Sequence, residues 1–241
     1  MRPPVPTASV VAYNRPVLSA VVLSLLVATE PSPWPPLLVD VAQLIPDAVL
    51  DLRYATPRNV VGRPLYPPGA RCLLRPEVAE RLARAADALR AEGFRLRLFD
   101  CYRPPAVQRL LFERESRPGF VADPAHGGSH HNRGAAVDLG LASPDGGEVE
   151  LPTDFDAFDV RARFDAVEGV SPAARAHRDA LRRAMVAAGF LPSRSEWWHF
   201  SAPEARGAPL IEADLSGKKP AEPCPDRAEA PDRAAPAKRA R

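Results

Sequence analysis

The chain has 241 residues, of which 46% are hydrophobic and 26% charged, and its formal net charge is +2. This length suffices for one sizeable domain with tails, and the composition is typical of a soluble globular protein. The nearly balanced charge and the lack of a basic run in the central region argue against a protein that binds nucleic acid or a membrane surface. The 29 prolines are concentrated near the two ends, which predicts a compact centre between poorly structured termini.

The N-terminal region has the pattern of an export signal. Arg2 and Arg15 precede an uncharged apolar run at residues 17–28, which small residues and prolines follow. This order is typical of a secretory signal, and the run is short for a membrane span. We therefore expect a signal peptide and proline-rich linker over residues 1–36, and a periplasmic or secreted mature protein without stable membrane association. The alternative is a buried segment of a cytoplasmic protein.

The part of the predicted domain before residue 101 contains extended segments, one helix and one strand. Residues 40–70 contain short apolar runs broken by turn formers, which predicts extended segments and loops. Apolar residues at helical spacing predict a helix from Pro76 to a stop at Gly93. Apolar and basic residues then alternate over 94–100, which predicts a half-buried strand.

Later elements complete a mixed pattern. We expect a helix over residues 104–115, a buried strand over 135–141 and an aromatic strand over 195–201. Between the strands, Ser171 as N-cap, Pro172 in the first turn and Gly189 as stop predict another helix. Because strands and helices do not alternate regularly, the pattern favours one α+β domain over residues 37–211, with a central, mainly antiparallel sheet and flanking helices. Residues 212–241 have almost no large apolar side chain, which predicts a disordered tail.

The sequence contains three cysteines, Cys72, Cys101 and Cys224. In an exported protein the first two could form a disulfide and leave Cys224 unpaired in the tail. Such a bond would close a loop of about 30 residues and would stabilise the fold by roughly 3 kcal/mol on chain-entropy grounds. The alternative is two reduced, buried cysteines.

Two segments combine imidazoles with carboxylates: SHHNRGAAVD at 129–138 and SEWWHF at 195–200. A catalytic zinc site needs three such ligands and one open position for water. Asp138 lies in an otherwise apolar strand, where an unpaired carboxylate is costly and a bound cation would offset that cost. Glu196 precedes His199 by three residues and adjoins two tryptophans that would exclude solvent, as expected for a general base in metal-assisted hydrolysis.

The residues by themselves leave the ligand set open. An isolated histidine is more often a surface or core residue than a ligand, and the His-Glu-x-x-His signature of many zinc proteases is absent. Strand periodicity would place His130, rather than His131, on the same face as Asp138. However, residues 132–134 predict a turn, across which this periodicity cannot be carried.

Together the segments resemble a known family. The first fits Ser-x-His-x-x-Gly-x-Ala-x-Asp and the second contains Glu-x-x-His, as in the D-alanyl-D-alanine dipeptidases of the vancomycin-resistance type. These are related to the zinc D,D-carboxypeptidases and to the hedgehog amino-terminal domain. DLRYAT (51–56), NVVGRPLY (59–66) and FDCYRP (99–104) also match, in the order of the family.

The resemblance implies a hedgehog- or D,D-peptidase-like fold that holds one catalytic Zn²⁺. Glu196 would be the base that takes a proton from the metal-activated water and passes it to the leaving amine. Arg103 would stabilise the oxyanion that develops on the scissile carbonyl. The zinc ligands would be His131, Asp138 and His199.

The resemblance also implies residues that hold the two ends of the substrate. Ser129 would hydrogen-bond the terminal carboxylate, and Tyr54 would help to hold the free amine. An aspartate of TDFDAFD (153–159) would pair with the ammonium group, and the family register points to Asp156, with Asp154 and Asp159 as rivals. The alternative for Arg103, Tyr54 and Asp156 is structural packing or a surface ion pair.

We therefore expect a zinc metallopeptidase that hydrolyses the D-alanyl-D-alanine dipeptide, with a small dipeptide as its partner and no nucleic acid. An aspartate at the amine and a serine at the carboxylate would select short substrates with free termini, because a longer peptide would leave the aspartate unpaired. An exported enzyme would recover D-alanine from wall turnover, whereas a cytoplasmic one would destroy the dipeptide before wall synthesis. The rival functions are a peptidoglycan D,D- or L,D-carboxypeptidase acting on longer stem peptides and a non-catalytic zinc-bearing binding module.

Overall fold

A computed structural model describes residues 38–215 of the chain. The strands in this part are β1 (Val39–Asp40), β2 (Val49–Leu50), β3 (Leu73–Leu74), β4 (Arg95–Asp100), β5 (Ala136–Ala142), β6 (Leu191–Pro192) and β7 (His199–Ser201). The α-helices are α1 (Val41–Leu44), α2 (Pro76–Ala91), α3 (Pro105–Arg114) and α4 (Pro172–Ala187). The two long helices and the strands β4 and β5 lie where the sequence predicts them.

The main sheet has the strand order β2-β4-β5-β7-β6, and β1 and β3 form a separate two-stranded sheet. β2 pairs with β4 in parallel, and the remaining neighbours are antiparallel. This architecture confirms the predicted α+β class with a mainly antiparallel sheet. The two longest strands, β4 and β5, lie side by side in the middle, so residues at their ends meet near the centre of the fold.

The helices α2 and α4 contact each other and the central strands β4 and β5. Ser171 caps α4, since its hydroxyl oxygen accepts the N–H of Ala174 at 3.1 Å. One face of α2 is buried, as the helical spacing of its apolar residues predicts; its buried residues are Val78, Ala79, Leu82, Ala85, Ala86 and Leu89. Burial of this apolar face against the sheet stabilises the helix more than its intrinsic propensity does.

The central strand β5 is buried along its whole length. A side chain at Gly140 would have its Cβ 2.9 Å from Leu151 and 3.1 Å from the ring of Phe99. The glycine therefore makes room for Phe99, whose ring packs against Phe155 and Trp197. These aromatic contacts lie beneath the end of the sheet that carries the candidate site.

Three local predictions need correction. Residues 40–70 contain the short helix α1 and a 3₁₀ turn at Arg53–Ala55 in addition to extended segments. The final strand is shorter than 195–201: β7 covers only His199–Ser201, and the N–H of His199 donates to the carbonyl oxygen of Glu196 in the turn before it. The turn predicted at 132–134 belongs to a 3₁₀ helix at His130–Arg133.

The predicted signal peptide and linker, residues 1–36, lie outside the described part of the chain, as does most of the predicted tail. The described chain nevertheless continues beyond the predicted domain end at 211. Leu215 is buried and its carbonyl oxygen accepts the N–H of Arg71 at 3.2 Å. Within residues 38–215, no helix is long and apolar enough to cross a membrane.

Cys72 and Cys101 form a disulfide, with their Cα atoms 5.1 Å apart. The bond links the residue before β3 to the residue after β4, and both cysteines are buried. The sequence left open whether these cysteines are bonded or reduced, and the structure contains the disulfide.

Reduction of this disulfide is expected to lower the free energy of unfolding by about 3 kcal/mol, because the reduced chain gains loop entropy when it unfolds. Urea denaturation of the oxidised and reduced protein would measure the difference. The Cys72→Ala/Cys101→Ala variant should unfold near the reduced wild type in both conditions. Equal midpoints for oxidised and reduced wild type would show that the bond does not stabilise the fold.

Candidate active site

Strand register brings three ionisable side chains into one row across the sheet. Asp138 of β5 pairs with His199 of β7 on one side and with Asp100 of β4 on the other. Directly opposed residues of antiparallel strands point to the same face. An irregularity in β4 between Leu98 and Asp100 shifts the register, so that Asp100 meets Asp138.

His131 reaches this row from the turn before β5. Ser129 caps the 3₁₀ helix that contains His131, and Gly134 ends it with a φ of 64°. A Cβ at Gly134 would lie 2.5 Å from a methyl carbon of Leu38. Both the left-handed backbone and the lack of space therefore require the glycine of the Ser-x-His-x-x-Gly pattern.

His131, Asp138 and His199 form a compact cluster, which we call the triad. His131 Nε2 lies 3.3 Å from Asp138 Oδ2 and 3.2 Å from His199 Nδ1. His199 Nδ1 lies 2.9 Å from Asp138 Oδ1. Within residues 38–215, the triad is the one group of histidine, cysteine and carboxylate side chains arranged to hold a metal ion.

The outer nitrogens of both imidazoles have partners of their own. His131 Nδ1 lies 2.7 Å from the carbonyl oxygen of Cys101. A carbonyl only accepts, so Nδ1 carries the hydrogen and Nε2 presents its lone pair to the triad. His199 Nε2 lies 3.0 Å from Ser201 Oγ. Such outer contacts orient imidazoles that ligate metals.

Asp138 is an ionised carboxylate in a buried position. Burial alone would raise the pKa of Asp138, but the neighbouring imidazoles of His131 and His199 hold this pKa below its usual range. The triad therefore combines an anionic oxygen with two imidazole nitrogens, which is a suitable donor set for a divalent cation.

Arg103 is buried beside the triad and is held on several sides. Its Nε donates to Asp100 Oδ2 at 2.9 Å, and its Nη1 donates to Gln108 Oε1 at 2.8 Å. Its Nη2 lies 3.5 Å from Asp138 Oδ2, and the guanidinium stands 5.0 Å from the ring centroid of Tyr54. These contacts fix the planar group in one orientation at the cavity wall.

Sequence reasoning assigned no role to Asp100 or Tyr66, which support Arg103. Asp100 is completely buried and accepts a hydrogen bond from the Tyr66 hydroxyl in addition to the bonds from Arg103. Burial and the nearby Asp100 raise the pKa of Tyr66, so its hydroxyl remains a donor. Both residues lie in segments that match the family, NVVGRPLY and FDCYRP. The sequence contained a signal for the role of Asp100, because this aspartate ends a half-buried strand three residues before Arg103.

Glu196 lies at the edge of the same cavity. No other residue in 38–215 hydrogen-bonds its carboxylate, and burial, reinforced by the negative charge of Asp138, raises the pKa of Glu196 well above its usual value. Trp198 also lines the cavity, whereas Trp197 packs behind it and donates to Thr153 Oγ1 at 2.9 Å. Both tryptophans are buried, so they form an apolar wall next to Glu196.

Ser129 serves both the local backbone and the cavity. Its hydroxyl oxygen accepts the N–H of His131 at 3.2 Å, and its own N–H donates to Asn132 Oδ1 at 2.8 Å. The hydroxyl hydrogen is not used in these contacts. Because Ser129 lines the cavity, this hydrogen can be donated to a bound anionic group.

Asp156 faces the cavity from a strained backbone. Its φ of 59° is the one positive value at a non-glycine residue in the described chain, and such strain is common at functional sites. The Tyr54 hydroxyl donates to Asp156 Oδ1 and the Val60 N–H donates to Oδ2, both at 3.2 Å. Burial raises the pKa of Asp156 to about 7.

The two rival aspartates lie elsewhere. Asp154 is exposed and faces Arg53 and Arg58, at 3.5 and 3.7 Å. Asp159 caps a 3₁₀ turn and pairs with Arg161 at 2.7 Å. Of the three aspartates, Asp156 is the one that lines the cavity with the triad.

The cavity has a volume of about 190 Å³, which is below the roughly 300–1,000 Å³ of pockets for drug-sized ligands and suits a small substrate. The rings of Phe120 and Phe158, 4.9 Å apart, form part of its wall. The structure brings all the predicted metal, catalytic and substrate residues to this cavity: Tyr54, Arg103, Ser129, His131, Asp138, Asp156, Glu196 and His199.

Comparison with known proteins identifies the family of the chain. An M15 peptidase family model, described as D-ala-D-ala dipeptidase, matches residues 36–214. The D-alanyl-D-alanine dipeptidase of Escherichia coli (strain K12) is 36% identical over 179 residues, which are 74% of this chain and 91% of that protein. That of Enterococcus faecium is 31% identical over 62% of this chain and 83% of its own length.

Among solved structures, the LdcB LD-carboxypeptidase is similar with a TM-score of 0.42 and 21% identity, over 71% of this chain and 72% of that chain. The family match spans the whole sheet and the cavity, including every residue of the triad. The chain therefore belongs to the D-alanyl-D-alanine dipeptidase family of M15 peptidases.

Proposed function

We propose that this protein is a zinc peptidase that hydrolyses the D-alanyl-D-alanine dipeptide to two D-alanines. The observation that carries the proposal is the meeting of the triad with Glu196 and Arg103 in one small cavity. The names of the relatives support the same substrate.

The triad fits one zinc ion. Two imidazole nitrogens and one carboxylate are ligands that zinc accepts, and three protein ligands leave a fourth position open. His131 Nε2 and His199 Nδ1 stand 3.2 Å apart, where a cation would satisfy the lone pairs of both nitrogens. When bound there, Zn²⁺ would lower the pKa of a coordinated water and polarise the scissile carbonyl.

Glu196 would carry the proton during hydrolysis. Its carboxylate would accept a proton from the attacking water and deliver it to the nitrogen of the leaving D-alanine. The raised pKa of Glu196 strengthens its affinity for that proton. Arg103 would donate hydrogen bonds to the carbonyl oxygen as negative charge develops on it, and Asp100 and Gln108 hold the guanidinium ready for this contact.

The ends of the cavity would measure the length of the substrate. Asp156, together with Tyr54, would bind the free ammonium group, and Ser129 would donate a hydrogen bond to the free carboxylate. A peptide that extends beyond the first D-alanine lacks the ammonium group at this point. It would leave the buried carboxylate of Asp156 without a counter-charge, which disfavours its binding.

A substrate panel tests this function directly. Zinc-loaded protein would be incubated with D-alanyl-D-alanine, its N-acetyl derivative and a stem pentapeptide, and released D-alanine would be measured. We expect release from the free dipeptide alone. Hydrolysis of the pentapeptide without the dipeptide would instead indicate a carboxypeptidase, and zinc binding without any hydrolysis would indicate a binding module.

The pKa of Asp156 predicts how dipeptide binding depends on pH. The raised pKa of about 7 means that the carboxyl becomes neutral as the pH falls below this value, and a neutral carboxyl does not attract the ammonium group. In the Glu196→Gln background, where hydrolysis should be slow, the Kd for the dipeptide should rise by up to about tenfold per pH unit between pH 7 and 5.5. Titration calorimetry would measure it.

The matched control adds Asp156→Asn to the same background. This double variant should bind the dipeptide weakly at pH 7.5, and its Kd should stay level down to pH 5.5. If the double variant keeps the pH dependence of the single one, another group binds the ammonium.

We propose further that the enzyme acts in the periplasm or outside the cell. The apolar run at residues 17–28 supports this location, and so does the disulfide between Cys72 and Cys101, since such bonds persist mainly in oxidising compartments. Fractionation of the producing cells, with N-terminal sequencing of the recovered protein, tests it. Recovery of the uncleaved chain from the cytoplasm would contradict it.

A further inference from the structure

Beside the triad, one hydroxyl joins two imidazoles that belong to different parts of the chain, and His130 lines the same cavity. Ser201 Oγ lies 3.0 Å from His199 Nε2 and 2.8 Å from His130 Nδ1. Ser201 is buried and ends β7, and His130 begins the 3₁₀ helix that carries His131. The function proposed above uses neither Ser201 nor His130.

The number of available hydrogens determines which of His199, Ser201 and His130 donates and which accepts in these two hydrogen bonds. If His199 ligates a metal through Nδ1, its hydrogen is on Nε2 and must be donated to Ser201 Oγ. The hydroxyl of Ser201 has a single hydrogen of its own, which then needs another acceptor. His130 Nδ1 stands at hydrogen-bonding distance to receive it.

The opposite orientation would be harmful to a metal site. If Ser201 donated its hydrogen to His199 Nε2, His199 would carry its own hydrogen on Nδ1. That hydrogen would point to Asp138 Oδ1, 2.9 Å away, and would take the place of a cation. The acceptor on the far side of Ser201 therefore selects between the two tautomers of His199.

We propose that His130 is a positioning residue of the metal site. By accepting the hydroxyl hydrogen of Ser201, it holds Ser201 as an acceptor and so keeps the Nδ1 lone pair of His199 directed at the metal. This role rests on the proposed zinc site and adds to it a residue outside the ligand set. It also gives a function to the second histidine of the His130–His131 pair.

The test measures the zinc dissociation constant by competition with a chromogenic chelator at pH 7.5. His130→Phe keeps an aromatic ring but offers no acceptor, and it should weaken zinc binding by roughly tenfold or more, as loss of outer partners of metal ligands does. His130→Asn places its amide oxygen near the position of Nδ1, and it should remain within about threefold of wild type. The melting temperature of each zinc-free variant shows whether it folds, and His130→Leu replaces His130→Phe if that variant does not.

A double variant distinguishes an effect of His130 through the Ser201 hydroxyl from a general effect on packing. Ser201→Ala should weaken zinc binding, and adding His130→Phe to it should weaken binding no further, because His130 acts only through the hydroxyl. Unchanged zinc affinity in His130→Phe and His130→Leu would overturn the role, and so would additive losses in the double variant. A wild-type protein that binds no zinc would instead contradict the proposed zinc site itself.

Discussion

Glu196→Gln is expected to lower kcat for D-alanyl-D-alanine by about 10²–10⁴-fold, because the amide cannot take a proton from the attacking water. The substitution keeps the size of the side chain and removes only its basicity. Glu196 is not a member of the triad, so the zinc dissociation constant should stay near that of wild type. Stopped assays of D-alanine release, together with chelator competition for zinc, would measure both quantities.

Glu204→Gln provides the matched control for this variant. Glu204 forms an ion pair with Arg81 and does not line the cavity. The same chemical change at this position should leave kcat unaltered. If Glu196→Gln retains more than a tenth of the wild-type kcat, another group transfers the proton and the proposed mechanism is wrong.

Arg103→Lys is expected to lower kcat by about 10²–10³-fold while KM changes far less. A hydrogen bond to the carbonyl oxygen strengthens as charge develops there, so its loss raises the barrier more than it weakens substrate binding. Lysine keeps the positive charge beside Asp100 but cannot reproduce the fork that bonds Asp100 and Gln108 together. Steady-state kinetics on the dipeptide would separate the two parameters.

Arg178→Lys is the corresponding control, because Arg178 is also buried but lies in α4, away from the cavity. It donates to the carbonyl oxygen of Ala166 and pairs with Asp179. The control should lower the melting temperature without lowering kcat. A rise in KM alone in Arg103→Lys, with kcat unchanged, would mean that Arg103 binds the ground state of the substrate and does not stabilise the transition state.

Local sequence signals predicted the long elements of the fold well. The spacing of apolar residues in α2 and the capping of α4 depend on neighbours in sequence, and both helices lie where these signals place them. The short elements were harder to predict. The bounds of β7 and the 3₁₀ helix before β5 lie in segments that pack against distant parts of the chain: Trp197 and Trp198 are buried, and Gly134 lies against Leu38.

In the candidate site, too, some features followed from the sequence and others depended on tertiary contacts. Residue types and the family pattern pointed to the triad, and the structure places its three members together. Periodicity pointed to His130 instead of His131, and it was misleading because Gly134 turns the chain between the histidines and β5. The approach of Arg103 to Asp138 depends on the register of β4 and β5, which sets Asp100 opposite Asp138 and cannot be derived from one strand alone.

The sequence by itself therefore determined the fold class, the family and the residue types of the candidate metal site, since these depend on composition, periodicity and ordered motifs. Only the tertiary structure decided which aspartate of 153–159 faces the cavity, since Asp154 and Asp159 have the same side chain as Asp156 but turn to Arg53 and Arg161. It also showed that Ser201 Oγ joins His130 to His199. The reason is physical: hydrogen bonds and burial are set by the distances between segments far apart in the chain, which a linear pattern does not contain.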